Sequence, residues 1–155
     1  MNLLELPFEP WRDSDYSQAC ADKISRMASI YAPTARKSLD LGMGRGYLVK
    51  KLSEIGLEAV GVDVRDLGQE GLILANVKSL PFEDASFDLV TECYLLADMI
   101  DFQEAPVSDL RKVIQEAHRV LRPEGIYITK PGSYLAKDYF KETLLFGADI
   151  GIFRK

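Results

Sequence analysis

The sequence predicts one α/β domain: a doubly wound, mostly parallel sheet with helices on both faces. Three observations predict it. Short apolar runs alternate with stretches of helical periodicity between residues 17 and 141, and strands separated by helices pair in parallel through right-handed crossovers. The turn after the first apolar run, Gly42-Met43-Gly44-Arg45-Gly46, is the glycine-rich kind that links a strand to a helix beside a ligand. The length, 155 residues, suits a single core.

Each element has its own signal. Pro7, Pro10 and the cluster Arg12-Asp13-Ser14-Asp15 discourage regular structure over residues 1–16. Ala21, Ile24, Ala28 and Tyr31 recur at helical spacing, so 17–31 reads as a helix capped by Ser17 and ended by Pro33. Lys37–Leu41 is a buried strand. Tyr47–Ile55 is a helix closed by Gly56. Ala59–Val62, Leu72–Ala75 and Phe87–Glu92 follow as strands two to four. Val107–Leu121 is the clearest helix, with Leu110, Val113, Ile114, Ala117, Val120 and Leu121 on one stripe. Pro123-Glu124-Gly125 stops it, Ile126–Thr129 is the fifth strand, and a helix is expected over 134–141. Two apolar runs around Gly147-Ala148-Asp149 suit a short C-terminal hairpin within 143–155.

Composition narrows the function. The chain is 47% hydrophobic and 28% charged, with a formal net charge of −5. That balance argues against a broad nucleic-acid surface, which is usually basic. No stretch approaches the length of a membrane span. The start MNLLELPFEP lacks a basic region and a long apolar run, so a cytoplasmic protein is expected. Cys20 and Cys93 make no CxxC or Cys/His pattern and read as reduced thiols, and the single His118 falls in the clearest helix, as a structural or solvated residue. A metal site is not expected.

The glycine loop carries the chemistry. Its glycines permit a sharp turn and a close ligand approach, and the next helix offers unpaired N–H groups. A dinucleotide fingerprint, GxGxxG, would need its third glycine at Tyr47 or Val49, and a Walker A loop is absent. What stands is GxGxG preceded by an acid, Asp40, at the strand end. Such a loop suits a nucleotide or an amino-acid ligand, or is a tight turn with glycines for packing alone. Val60-Gly61-Val62-Asp63 puts a second carboxylate at the end of strand two, where it either accepts both hydroxyl hydrogens of a ribose or caps the next element.

Four segments in order resemble the class I S-adenosylmethionine-dependent methyltransferases, with a Rossmann-like sheet, especially the small-molecule group that includes the quinone-biosynthesis enzymes. Leu39-Asp40-Leu41-Gly42-Met43-Gly44-Arg45-Gly46 is similar to the family's LDLGxGxG, and Gly61-Val62-Asp63 to its second-strand acid. The stretch from Leu80 to Val90, LPFEDASFDLV, resembles LPFxDxSFDxV, and the stretch from Glu116 to Gly125, EAHRVLRPEG, resembles ExxRVLxPGG. The resemblance implies S-adenosylmethionine as cofactor and a small-molecule methyl acceptor. It implies that Gly42, Gly44 and Gly46 line the methionine part, with Asp40 on its amino end and Met43 supplying backbone. It also implies that Asp63 holds the ribose, that Val64 packs on the adenine, and that Asn76, standing where the family usually has Asp, accepts from the adenine amino group. Val77 would give its N–H to the ring, and Glu92 would sit near the sulfonium side.

Two departures stand out. Glu124 replaces a glycine of PGG, so a turn needing positive φ there is expected to be strained. The region between Asp66 and Asn76 is compressed, and 25 residues follow Lys130, so an open substrate side is expected. No strong acid–base pair shows itself. Glu92, Tyr94 and Asp98, after the fourth strand, are the best-placed candidates, and Trp11 and Tyr16 either form a lid or pack the N-terminal segment. Arg119 and Arg122 read as packing or helix-end residues. Beside the enzyme stand two other readings. One is a module that binds the cofactor or its demethylated product without turnover, or that serves as a partner subunit. The other is a nucleotide-binding oxidoreductase, disfavoured by the glycine spacing.

Overall fold

The computed structural model of the protein describes residues 15–101 and 103–155. Helix α1 (Asp15–Tyr31) leads into strand β1 (Lys37–Leu41), helix α2 (Tyr47–Glu54), and strands β2 (Glu58–Asp63), β3 (Leu72–Leu74) and β4 (Phe87–Cys93). Helices α3 (Leu95–Asp101) and α4 (Val107–Val120), strand β5 (Leu121–Lys130), a 3-10 helix at Tyr134–Asp138, and strands β6 (Glu142–Phe146) and β7 (Gly151–Arg154) complete the order. Among the described residues seven strands form one open sheet in the order β3-β2-β1-β4-β5-β7-β6. The first five are parallel, and β7 runs antiparallel between β5 and β6. The order reverses beside β1, and open α/β sheets bind their ligands at such a reversal, outside the carboxyl ends of the strands.

Each face of the sheet buries its own helices. Ala21, Ile24 and Ala28 of α1 and Leu48 and Leu52 of α2 pack with Leu89, Ile126, Ile128 and Ile152. On the other face Leu110, Val113, Ile114, Ala117 and Val120 of α4 pack on Leu39, Leu41, Val90, Tyr127 and Phe153. Leu89 and Val90, adjacent on β4, thus serve opposite cores, as a strand's alternation requires. Burying each larger side chain of the α4 stripe stabilises the fold by about 1.5–3 kcal/mol. No helix among the described residues is long and apolar enough to cross a membrane.

The structure corrects several boundaries. Helix α1 already includes Asp15 and Tyr16, so Ser17 lies inside it and is not its cap. Helix α3 was not read from the sequence. Its seven residues are too few to show a period, and its first N–H, that of Leu95, is capped at 3.0 Å by the carboxylate of Glu92 three residues earlier. Strand β5 begins at Leu121, not at Ile126, with a pairing irregularity opposite Phe87 and Leu89 absorbing the Pro123 region. The helix expected over 134–141 is a 3-10 turn over 134–138. Phe140 is drawn into the core against Tyr127 and Phe153, and β6 pairing starts at Glu142. The expected hairpin is present as β6 and β7.

Glu124 has φ of +66°, the strained conformation its glycine-to-acid replacement foretold. Its carboxylate pairs with Lys141, an exposed contact that adds little. Glu124→Gly is expected to raise the melting temperature, measured by thermal denaturation; a lower value would show that the ion pair outweighs the strain.

The compressed crossover also has a simple geometry. Strand β3 pairs only with the last three residues of β2, Gly61 to Asp63. The chain therefore retreats only about 10 Å before turning into β3, which residues 64–71 span without a helix. Gly68 and Gly71 take φ of +75° and +78°, and the Asp66 side chain accepts the Gly68 N–H.

Candidate active site

The site is built where β1 ends. Gly42, Gly44 and Gly46 take φ of +68°, +53° and +83°, a region that side chains strain to enter. The loop is tied back by Met43 N–H donating to Val62 O at 3.0 Å and Gly46 N–H donating to Met43 O at 2.8 Å. Gly46 then opens α2, whose N-terminus has no side-chain cap. A Cβ on Gly42 would lie 2.9 Å from Leu95, and one on Gly46 would lie 3.1 Å from Met43. A Cβ on Gly44 would meet nothing within 4 Å. The middle glycine thus faces open space, and the outer two close the turn against α3 and Met43. Met43 does more than supply backbone: its buried side chain fills the space over Gly61, where a Cβ would come within 2.6 Å.

Two buried carboxylates flank the loop. Asp63, at the end of β2, accepts the Gly44 N–H at 3.0 Å on one oxygen. Its other oxygen accepts the Arg65 N–H at 3.0 Å and the Arg65 guanidinium at 3.3 Å. Asp40, on β1, accepts the Thr91 hydroxyl at 2.8 Å. Burial, relieved in part by Thr91 and reinforced by the nearby Asp63 charge, pushes the Asp40 carboxyl up to about 7. Glu92 is fully enclosed, accepting the Leu95 N–H and the Thr129 hydroxyl. Burial pushes it up to about 8, with Asp40 adding to the effect. The Glu92 carboxylate therefore holds α3 to β5 and meets the site through Asp40 and α3.

The remaining expected residues surround this centre unevenly. Val64, just beyond β2, is half-buried. Asn76 is exposed, and its side-chain oxygen already accepts the Lys78 N–H at 2.9 Å, so an adenine contact would use its second lone pair. Val77 packs on the core. Tyr94 takes φ of +63°, gives its N–H to Lys130 O at 2.6 Å, and has the Lys130 ammonium 5.8 Å from its ring centre. Lys130 is buried and pairs with Asp149 on the β6–β7 turn, which also pairs with Lys23 of α1. Asp98 is half-buried in α3. Trp11 lies outside the described residues, and of Tyr16 only its place in α1 is described.

Cys93 ends β4, and burial holds its thiol well above the ordinary range, which disfavours the thiolate. His118 packs edge-on against Phe140 near the far end of α4, and burial lowers its pKa, consistent with the structural role read from the sequence. Thr91, Gln69 and Lys130 were missed as site residues. Thr91 and Lys130 carried a faint signal, as polar side chains that follow the apolar runs Leu89-Val90 of β4 and Ile126-Tyr127-Ile128 of β5 toward the carboxyl ends of those strands.

The later two motifs form a brace. Arg119 donates to the carbonyls of Leu80 and Phe82 and pairs with Glu116 and Asp84, while Glu116 accepts the Leu80 N–H at 2.6 Å. The brace fixes the loop from residue 80 to residue 84 on α4, the packing role expected of Arg119. Arg119→Ala is expected to cost about 1–3 kcal/mol by stranding these partners, with cofactor affinity little changed, checked by urea denaturation and calorimetry.

Comparison with known proteins decides the family. The methyltransferase domain family matches residues 39–129, more than half of the chain. The chain belongs to the class I S-adenosylmethionine-dependent methyltransferase family. It is 29% identical over 127 residues to a ubiquinone/menaquinone biosynthesis C-methyltransferase of Rickettsia prowazekii, covering 77% of the chain and 48% of that relative. It is 31% identical over 120 residues to the mitochondrial arginine-hydroxylase NDUFAF5 of Mus musculus, covering 67% of the chain and 32% of that protein. The chain thus spans about half the length of its quinone-biosynthesis relative and about a third of the hydroxylase. The PH0226 protein of Pyrococcus horikoshii OT3 shares the fold with a TM-score of 0.73 at 19% identity, over 95% of this chain and 99% of that one. The residues present have a chemistry that fits this family's cofactor: an open cradle at Gly44 beside two buried carboxylates, Asp63 and Asp40, that can accept hydrogen bonds from hydroxyls or an ammonium.

Proposed function

We propose that the chain transfers a methyl group from S-adenosylmethionine to a small-molecule acceptor. The observation that carries this reading is the meeting, at the carboxyl ends of β1 and β2, of an open glycine cradle with the Asp40 and Asp63 carboxylates. The cofactor, when bound, supplies an electrophilic methyl on a sulfonium, and its transfer is an in-line displacement.

The chain's own residues bind and orient. Asp63 accepts the ribose hydroxyls, and Asp40 faces the amino end. Gly42, Met43, Gly44 and Gly46 line the methionine part, Val64 lies on the adenine face, and Asn76 and Val77 meet its edge. Glu92 sets the sulfonium side by anchoring α3. The enzyme's main contribution is alignment of nucleophile and methyl. Among the described residues none stands out as a general base, and methyl transfer does not require one when the acceptor is already nucleophilic. Tyr94 and Asp98 follow β4 and Lys130 ends β5, which puts them on the acceptor side in this reading. The likeness to a quinone-biosynthesis C-methyltransferase supports a small acceptor, and the net charge of −5 speaks against nucleic acid. The free cysteines Cys20 and Cys93 suit a reducing, cytoplasmic setting.

The test is labelled-methyl transfer into a metabolite extract. Label appearing in a small molecule is the expected result. Tight cofactor binding without any transfer would leave a binding module as the better reading.

A further inference from the structure

We propose that Gln69 is a positioning residue for the cofactor: its side-chain amide holds the glycine loop and the ribose carboxylate in register, in place of a crossover helix. The crossover over residues 64–71 contains no helix, so no helical scaffold supports the loop from this side. Gln69 instead reaches across. Its amide nitrogen donates to Gly44 O at 2.8 Å and to Arg65 O at 3.2 Å, and its amide oxygen accepts the Leu67 N–H at 2.7 Å.

These bonds converge on Gly44 and Arg65, the two residues whose N–H groups Asp63 accepts. Gly44 is gripped on both sides, its N–H by Asp63 and its carbonyl by Gln69. Its open face is thereby turned to a fixed direction. Arg65 is gripped likewise, its N–H by Asp63 and its carbonyl by Gln69. One amide group therefore closes a ring through Gly44, Asp63 and Arg65. The Gln69 stem packs beside Gly46, where a Cβ would come within 3.6 Å of the Gln69 Cβ. Gln69 is half-buried, so its amide bonds are only partly exposed to competition from water.

A group that organises a binding loop before the ligand arrives spares the ligand the cost of ordering it. Losing the Gln69 donor should therefore weaken binding without unfolding the chain. Two substitutions separate the effects. Gln69→Glu keeps the acceptor for Leu67 but sets an oxygen against the Gly44 and Arg65 carbonyls. Gln69→Met keeps the apolar stem and removes both polar groups. Each variant is titrated calorimetrically with S-adenosylhomocysteine at pH 8, and amide exchange of residues 42–46 is followed in the free protein.

Gln69→Glu is expected to bind roughly tenfold to a hundredfold more weakly than wild type, Gln69→Met somewhat less so, with melting temperatures within a few degrees of wild type and faster exchange at 42–46. Affinity within twofold of wild type in a variant that folds would overturn the proposal. So would faster loop exchange with no loss of affinity, because order in the loop would then not serve binding.

Discussion

Asp63→Ala is expected to weaken S-adenosylhomocysteine binding by about a hundredfold to a thousandfold, the loss of two charge-assisted hydrogen bonds to ribose hydroxyls. The effect has a second source. Asp63 also accepts the N–H groups of Gly44 and Arg65, so its removal loosens the glycine loop. Asp63→Asn keeps one acceptor oxygen and should fall between wild type and alanine. Calorimetry on variants of confirmed fold reads the effect, and an alanine variant within threefold of wild type would remove Asp63 from the site.

The second large effect is a dependence on pH. Asp40 and Glu92 are buried carboxyls pushed up to about 7 and about 8, chiefly by desolvation. Asp40 is faced by Thr91 and by the Asp63 charge, and Glu92 by Thr129, the first N–H groups of α3 and Asp40. In the folded chain these carboxyls hold protons that the unfolded chain has released above about pH 4–5. Stability from this pair is fully present below that range and is lost as pH rises through about 7 and 8. Asp88, Glu116 and Asp149, whose pKa values are lowered, act the other way and lose stability only as pH falls below the ordinary carboxylate range. The free protein should therefore melt highest in mild acid, and between pH 5.5 and 8.5 its melting temperature should fall by about 5–10 °C. Asp40→Asn with Glu92→Gln should flatten that decline.

Binding runs opposite to stability. An α-ammonium beside Asp40 favours the ionised carboxylate, so cofactor affinity should rise as pH climbs through about 7. Affinity that is flat from pH 6 to 8 would argue that Asp40 does not face the charged amino end.

Much of this was legible in the sequence, for identifiable reasons. The strands and α4 announce themselves because their burial is continuous or strictly periodic, as in Lys37–Leu41 and the Leu110–Val120 stripe. The glycine loop was legible because its φ values leave little choice of residue. Helix α3 was not, since its start is set by Glu92 from the preceding strand. The helix expected over residues 134–141 shortens to a 3-10 turn because Phe140 packs into the core against Tyr127 and Phe153 and β6 pairing starts at Glu142. Asp40, the glycines and Asp63 could be read as neighbours in the fold because they stand at or just past the carboxyl ends of β1 and β2. Gln69 could not, because nothing in a short polar loop tells which side chain turns back onto residues 25 positions earlier.

The most direct measurement is a calorimetric titration of the wild-type chain with S-adenosylhomocysteine and, separately, with NAD at pH 8. Saturable one-to-one binding of S-adenosylhomocysteine well below millimolar concentration, with no heat from NAD, is the expected result. Binding of NAD, with no response to S-adenosylhomocysteine even at millimolar concentration, would contradict the assignment of the site.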